Sequence, residues 1–131
     1  MQIRRSNWLS LKRHIAFTPL MSDIPKIRYS KHNKVRFKSL EDRDKGRTMF
    51  TEFFNSIKKE EFGKDMKGHI ILESTSDIQE SIILTFWETR EDMDKFYSMQ
   101  NRGLANLVNR AKPLFEKMPE RTDYYVSELS V

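Results

Sequence analysis

The chain has 131 residues, of which 37% are hydrophobic and 33% charged, with 24 Lys or Arg against 19 Asp or Glu. That length suits one domain with a real core and is short for two. The absence of cysteine excludes disulfides, thiol catalysis and thiolate metal sites. The three histidines, His14, His32 and His69, are scattered.

The net charge of +5 is unevenly placed. Residues 1–38 hold ten Lys or Arg and one acid, Asp23, whereas the remainder has an excess of acids. The basicity therefore belongs to an N-terminal arm, read as an extension over residues 1–33 that precedes a domain over 34–131. Trp8, Leu11 and Ile15 are spaced for a stripe on a short basic helix, which Pro19 and Pro25 keep from extending. The arm has the composition of an organelle transit segment and lacks the apolar middle of a secretory signal. No run reaches membrane-crossing length. A cytoplasmic location is expected, with transit to an organelle as the alternative.

The domain is predicted to begin with a strand over Lys34 to Leu40, where Val35 and Phe37 alternate with Arg36 and Lys38; Lys26 to Ser30 is a shorter strand candidate. Charged residues and Gly46 form an exit over Glu41 to Gly46. Met49, Phe50, Phe53, Phe54 and Ile57 recur at spacings of one, three and four, which predicts an amphipathic helix ending near Phe62 and Gly63, with Gly63 as its C′ residue. A second strand covers Met66 to Ser74. The polar link through Ser76 and Asp77 leads to a third over Ile82 to Trp87, and so short a link predicts antiparallel pairing.

Ile82, Leu84 and Phe86 share one face of the third strand, and Ile83, Thr85 and Trp87 share the other. With both faces apolar, this strand is central. Thr89 followed by Glu91 and Asp92 marks a helix N-terminus. Met93, Phe96, Tyr97 and Gln100 define one helical face, and Asn101 to Gly103 interrupt it before Leu104, Leu107, Val108, Ala111 and Phe115 resume the period. Pro113 and Pro119 bound its end, and Thr122 to Leu129 closes the chain as a last strand.

The order βαββαβ describes an α+β fold, the ferredoxin-like split βαβ arrangement, with a four-stranded antiparallel sheet and both helices on one face. The other face is too apolar for water over a large area, and a second copy is its expected cover.

Over roughly Lys34 to Leu129 the chain resembles the antibiotic biosynthesis monooxygenase superfamily. The likeness is carried by Gly68-His69-Ile70-Ile71-Leu72, by Ile82 through Glu91, and by Pro113-Leu114 and Pro119-Glu120-Arg121 before a Tyr-containing last strand. It implies a homodimer whose sheets pack face to face as a dimeric α/β barrel, with cavities between sheet and helices for small aromatic compounds. Members include cofactor-free oxygenases, haem-degrading enzymes and proteins of no established activity. In the haem-degrading branch a Trp and a proximal His follow the strand motif, and Phe96 and Asn106 stand at those places here. Neither supplies the chemistry, because Phe lacks an indole N–H and an amide is a poor iron ligand.

The resulting expectation is a cofactor-independent monooxygenase, or a binding protein, acting on a small aromatic or polycyclic phenol. Its ligand-binding candidates are Trp87, Phe96, Tyr97, Arg102 and Tyr125, with His69, Asn106 and Trp87 as catalytic candidates and no metal or cofactor. Glu60-Glu61 and Glu91-Asp92 are adjacent pairs that do not share a helical face, unlike the carboxylates of a hydrolase or divalent-metal site. The alternatives are a non-catalytic dimeric interaction protein and nucleic-acid binding by the basic arm. Of the two roles for the arm, complementing the acidic remainder of the chain is preferred.

Overall fold

The computed structural model describes residues 26–130. Four strands, β1 (Tyr29–Phe37), β2 (Met66–Glu73), β3 (Glu80–Trp87) and β4 (Phe115–Tyr125), form one antiparallel sheet in the order β2-β3-β1-β4. Three helices accompany it: α1 (Leu40–Ser56), α2 (Arg90–Phe96) and α3 (Arg102–Ala111), the last leading through a 3-10 turn into β4. This is the ferredoxin-like split βαβ arrangement, with β3 and β1 central as the apolar pattern of β3 requires.

Each boundary has a local cause. Ser39 caps α1, its hydroxyl accepting from the Asp42 N–H at 3.1 Å, with Glu41 and Asp42 in the first turn where negative charge is favoured. The segment Glu41 to Gly46, expected as a loop, is therefore the start of the helix. The helix also ends earlier than its apolar spacing suggested, at Ser56 with Ile57 as C-cap, and not at Gly63. Among the described residues no glycine has positive φ, so Gly63 is not a left-handed C′ residue. It is a site of close approach, where a Cβ would strike the Ile57 backbone and side chain.

Two strands also differ from expectation. β1 starts at Tyr29, so residues 29–33 of the expected extension belong to the sheet, paired from Tyr29 opposite Trp87 to Arg36 opposite Glu80. Their inward positions include Lys31 and Asn33, which carry no apolar alternation. β4 runs from Phe115 to Tyr125, not from Thr122 to Leu129. Pro119, expected to bound the helical region, lies within this edge strand where its pairing with β1 shifts register between Lys34 and Arg36. A residue without an N–H is tolerated at such an irregularity.

The helices cover the sheet face that carries Ser81, Ile83, Thr85 and Trp87, and on it Phe50, Phe53 and Phe54 from α1 pack with Met93, Phe96 and Leu107. Burying each Phe stabilises the fold by roughly 1.5–3 kcal/mol relative to exposure. The opposite face presents Ile82, Leu84 and Phe86, flanked by the exposed Ile70, Leu72 and Tyr124. Residues 1–25, including the proposed Trp8, Leu11 and Ile15 stripe and the transit reading, lie outside the described residues. No helix among the described residues is long and apolar enough to cross a membrane.

Gly46 and Gly103 are both helical and respond oppositely to a methyl group. At Gly46 a Cβ overlaps the edge of the buried Phe37 ring, whereas at Gly103 its nearest atoms are at 3.6 and 3.7 Å. Gly46→Ala is expected to destabilise the fold by about 1–3 kcal/mol through overpacking. Gly103→Ala is expected to be neutral or stabilising by up to ~1 kcal/mol. Urea denaturation of both variants checks the contrast.

Candidate functional site

The most distinctive chemistry within the fold is a run of polar groups where α2 ends. Thr85 and Trp87 lie on the covered face of β3, fully enclosed, and the Trp87 indole N–H donates to Thr85 Oγ1 at 3.0 Å. The Tyr97 hydroxyl is 2.8 Å from the same Oγ1 and accepts from Asn33 Nδ2 at 3.2 Å. Asn33 Nδ2 also donates to the Ile83 carbonyl at 2.9 Å, joining β1 to β3 by a side-chain bond. Burial pushes the Tyr97 phenol above its ordinary value of 10.0, although the bonds to Thr85 and Asn33 and the charge of Arg121 pull the other way. At neutral pH it is a neutral hydroxyl and not a base.

The helix break positions Tyr97. Buried Asn101 donates through Nδ2 to the Phe96 carbonyl at 2.8 Å and accepts through Oδ1 from the Leu104 N–H at 3.2 Å. One side chain thus satisfies the end of α2 and the beginning of α3. Gly103, expected at the bend, is already inside α3.

A cleft of ≈ 350 Å³ opens beside this junction, between α3 and β4, with Tyr97, Leu104, Val108, Met118, Pro119 and Arg121 among its walls. An inner void of ≈ 40 Å³ shares Tyr97, Leu104, Val108, Pro119 and Arg121 with the cleft and adds Asn33 and the apolar groups of the core. Arg121 stands in register opposite Asn33, with its guanidinium carbon 5.0 Å from the centre of the Tyr97 ring. The ring has a second cation, Lys31, at 4.7 Å. Asp123 is engaged by Lys31 at 2.6 Å and by Arg90 at 3.1 Å, and no carboxylate forms an ion pair with Arg121 among the described residues. The cleft consequently offers a cation and an apolar wall, a set suited to an aromatic anion.

Of the expected site residues, Tyr97 lines both spaces and Phe96 lines the inner void. Trp87 lines neither cleft nor void; its ring is sealed in the core, in contact with Phe96 at 5.1 Å. Asn106 and Arg102 are exposed on α3 and outside the cleft lining, because α3 turns Leu104, Ala105, Val108 and Asn109 toward it. Tyr125 packs edge-on against Tyr29 at 5.5 Å and is also outside the cleft. His69 stacks on Phe54 at 4.4 Å beside a separate cleft. The binding and catalytic candidates are therefore not gathered around one of these spaces.

Asn33 and Arg121 escaped the sequence reading because both sit on strands whose starts were misplaced. Extending β1 back to Tyr29 places Asn33 on the inward face by period two, and that was the available signal. Of the basic residues between 26 and 38, Lys31 pairs with Asp123, Lys34 approaches Glu80 at 3.8 Å, and Arg36 contacts Asp77 at 2.6 Å and Glu116 at 3.1 Å. Of these residues only Lys31 belongs to the expected extension, whose residues 1–25 lie outside the described residues. Among the described residues no three His, Asp or Glu side chains converge as a metal site.

No family model matches this sequence, and a search of curated proteins found no match. Solved structures with the same fold do exist. A dimeric ferredoxin-like protein from an uncultured marine organism superposes with a TM-score of 0.65 at 11% identity, covering 85% of this chain and 97% of its own. A provisionally named antibiotic biosynthesis monooxygenase from Deinococcus radiodurans gives 0.63 at 15% identity, covering 79% and 96%. A point mutant of SnoaB, a cofactor-independent oxygenase from Streptomyces nogalater, gives 0.63 at 8% identity, covering 78% and 95%. The class is thus a ferredoxin-like α+β domain. More particularly, the chain has the fold of the antibiotic biosynthesis monooxygenase superfamily.

Because the Tyr97 phenol is raised in the folded state, the unfolded chain ionises first as pH rises. Its contribution to stability is complete below pH 10 and is lost as pH climbs from there through the folded value. Urea denaturation between about pH 9 and pH 11 is expected to show a steeper loss for the wild type than for Tyr97→Phe. Equal slopes would contradict the enclosed hydroxyl.

Proposed function

We propose that this protein binds a small aromatic anion, of the phenolate class, in the cleft between α3 and β4. The observation that carries the reading is Arg121, a cation without a carboxylate ion-pair partner among the described residues, in the lining of a space shared with Tyr97, Leu104, Val108 and Pro119. A ring against the aliphatic wall leaves its oxygen near the guanidinium, which favours the ionised phenol. The cleft volume falls within the range of small-molecule sites, whereas the inner void is too small for a ring.

A second reading adds catalysis without a cofactor. The largely apolar inner void adjoins the cleft and has the size of a diatomic molecule or a few waters, which supports O₂ meeting a bound, deprotonated ring. An activated methylene would then become a carbonyl, R₂CH₂ + O₂ giving R₂CO + H₂O, with O₂ as the only oxidant. The likeness to SnoaB, a cofactor-independent oxygenase, points the same way. Retention of ligand binding without oxygen uptake would favour the binding protein over the enzyme, and absence of both would favour a structural or interaction role.

Heat-shift and oxygen-uptake assays with quinols and anthrones test the site. Arg121→Ala is expected to weaken binding by about tenfold or more, the loss of one charge-assisted contact. Undiminished affinity in that variant would reject the assignment.

The protein is further proposed to act as a homodimer joined through the open sheet face. Ile82, Leu84 and Phe86, with Ile70, Leu72 and Tyr124, form an apolar surface that a second copy would bury, and one structural neighbour is described as dimeric. Light scattering is expected to give about twice the 15.7 kDa chain mass. Phe86→Asp should yield monomer, because the carboxylate would be buried unpaired. A monomeric wild type would remove this proposal.

A further inference from the structure

His69, a catalytic candidate from the sequence, lies outside the Tyr97 cleft. It lines a separate space of ≈ 440 Å³ at the edge of the sheet, where the C-terminal end of α1 meets the first residues of β2. The floor is the Phe54 ring with the imidazole stacked on it, centroids 4.4 Å apart and planes 27° from parallel. Ile57 and Met66 add apolar wall, and Lys58 and Lys67 stand at the sides. None of the lining residues is acidic. Glu88, immediately after β3, reaches Lys67 at 4.0 Å.

The electrostatics of the imidazole agree with this inventory. Burial, followed by the nearby Lys58 ammonium, holds His69 below its ordinary 6.5, so at neutral pH it is an uncharged ring in a positive surrounding. Neither ring nitrogen has a hydrogen-bond partner among the described residues, and neither is sealed from solvent. An occupant that brings negative charge would meet the Lys58 and Lys67 ammonium groups and would give the imidazole an acceptor. An occupant that brings a flat ring would use the apolar floor and wall.

We propose that the Lys58–His69–Lys67 cleft is a second ligand site, taking an aromatic carboxylate with its carboxyl group at the lysines and its ring over the His69–Phe54 stack. The site is independent of the Tyr97–Arg121 cleft and needs no catalytic step. Its volume is sufficient for one or two fused rings.

The test is a titration of the folded full chain with 2-naphthoate, following the His69 imidazole resonances by ¹H–¹⁵N NMR. A saturable shift is expected, together with a rise in the pH at which the ring protonates. The double variant Lys58→Ala/Lys67→Ala should bind about tenfold or more weakly, whereas Arg121→Ala should bind as the wild type does. Acetate and inorganic phosphate should be at least about tenfold weaker than 2-naphthoate, since they lack the ring. The proposal is overturned by the absence of a saturable shift, or by unchanged affinity in the double variant. Loss of the shift in Arg121→Ala alone would assign the ligand to the other cleft. Phosphate binding as tightly as 2-naphthoate would reject recognition of the ring.

Discussion

The hydrogen-bonded chain from Trp87 through Thr85 and Tyr97 to Asn33 is the interaction on which the arrangement of this protein depends. It links the two central strands to the end of α2 inside an otherwise hydrocarbon core. A polar group in that setting is costly unless paired, so the chain has to form as a unit. Once formed, it allows Tyr97 little choice of position. The start of α3 follows, because Asn101 spans the gap between the two helices with both ends of its amide.

From that constraint the cleft takes its chemistry. Tyr97 turns an aromatic face toward Lys31 and Arg121, and cations over a ring face are favourable even when partly hydrated. Lys31 is held by Asp123, leaving Arg121 the cation available to a ligand. The void behind it is bounded by Phe54, which also stacks on His69 at the edge of the sheet. One ring of α1 is therefore a wall common to the inner void and the His69 cleft.

Charge is distributed with a similar economy of partners. The basic segment leading into the sheet is answered by carboxylates from the β2–β3 connection and from β4, with Arg36 bridging Asp77 and Glu116. These are partly exposed pairs, each contributing little to stability. Their consequence is geometric: they tie β1, β4 and the β2–β3 connection together at the end of the sheet away from Tyr97. The open face of the sheet contrasts with this, being apolar along β3 and β2.

The amino-acid sequence by itself determined the element types, the βαββαβ order and the central place of β3, because these follow from apolar periodicity and from caps such as Ser39 and Thr89 that act within a few residues. It also carried the likeness to the superfamily whose fold the chain has. It did not mark the start of β1, since the inward residues Lys31 and Asn33 are polar and only pairing with β3 makes them strand. Nor did it mark the true extent of β4, an exposed edge strand interrupted by Pro119. The membership of the site was decided only in three dimensions. Trp87 and Thr85 share a strand face visible in the sequence, but that Tyr97 rather than Asn106 turns inward, and that Arg121 stands beside Asn33, depends on the helix break and the β1–β4 register. Such long-range choices are set by which polar atoms find partners on folding, and spacing along the chain does not encode them.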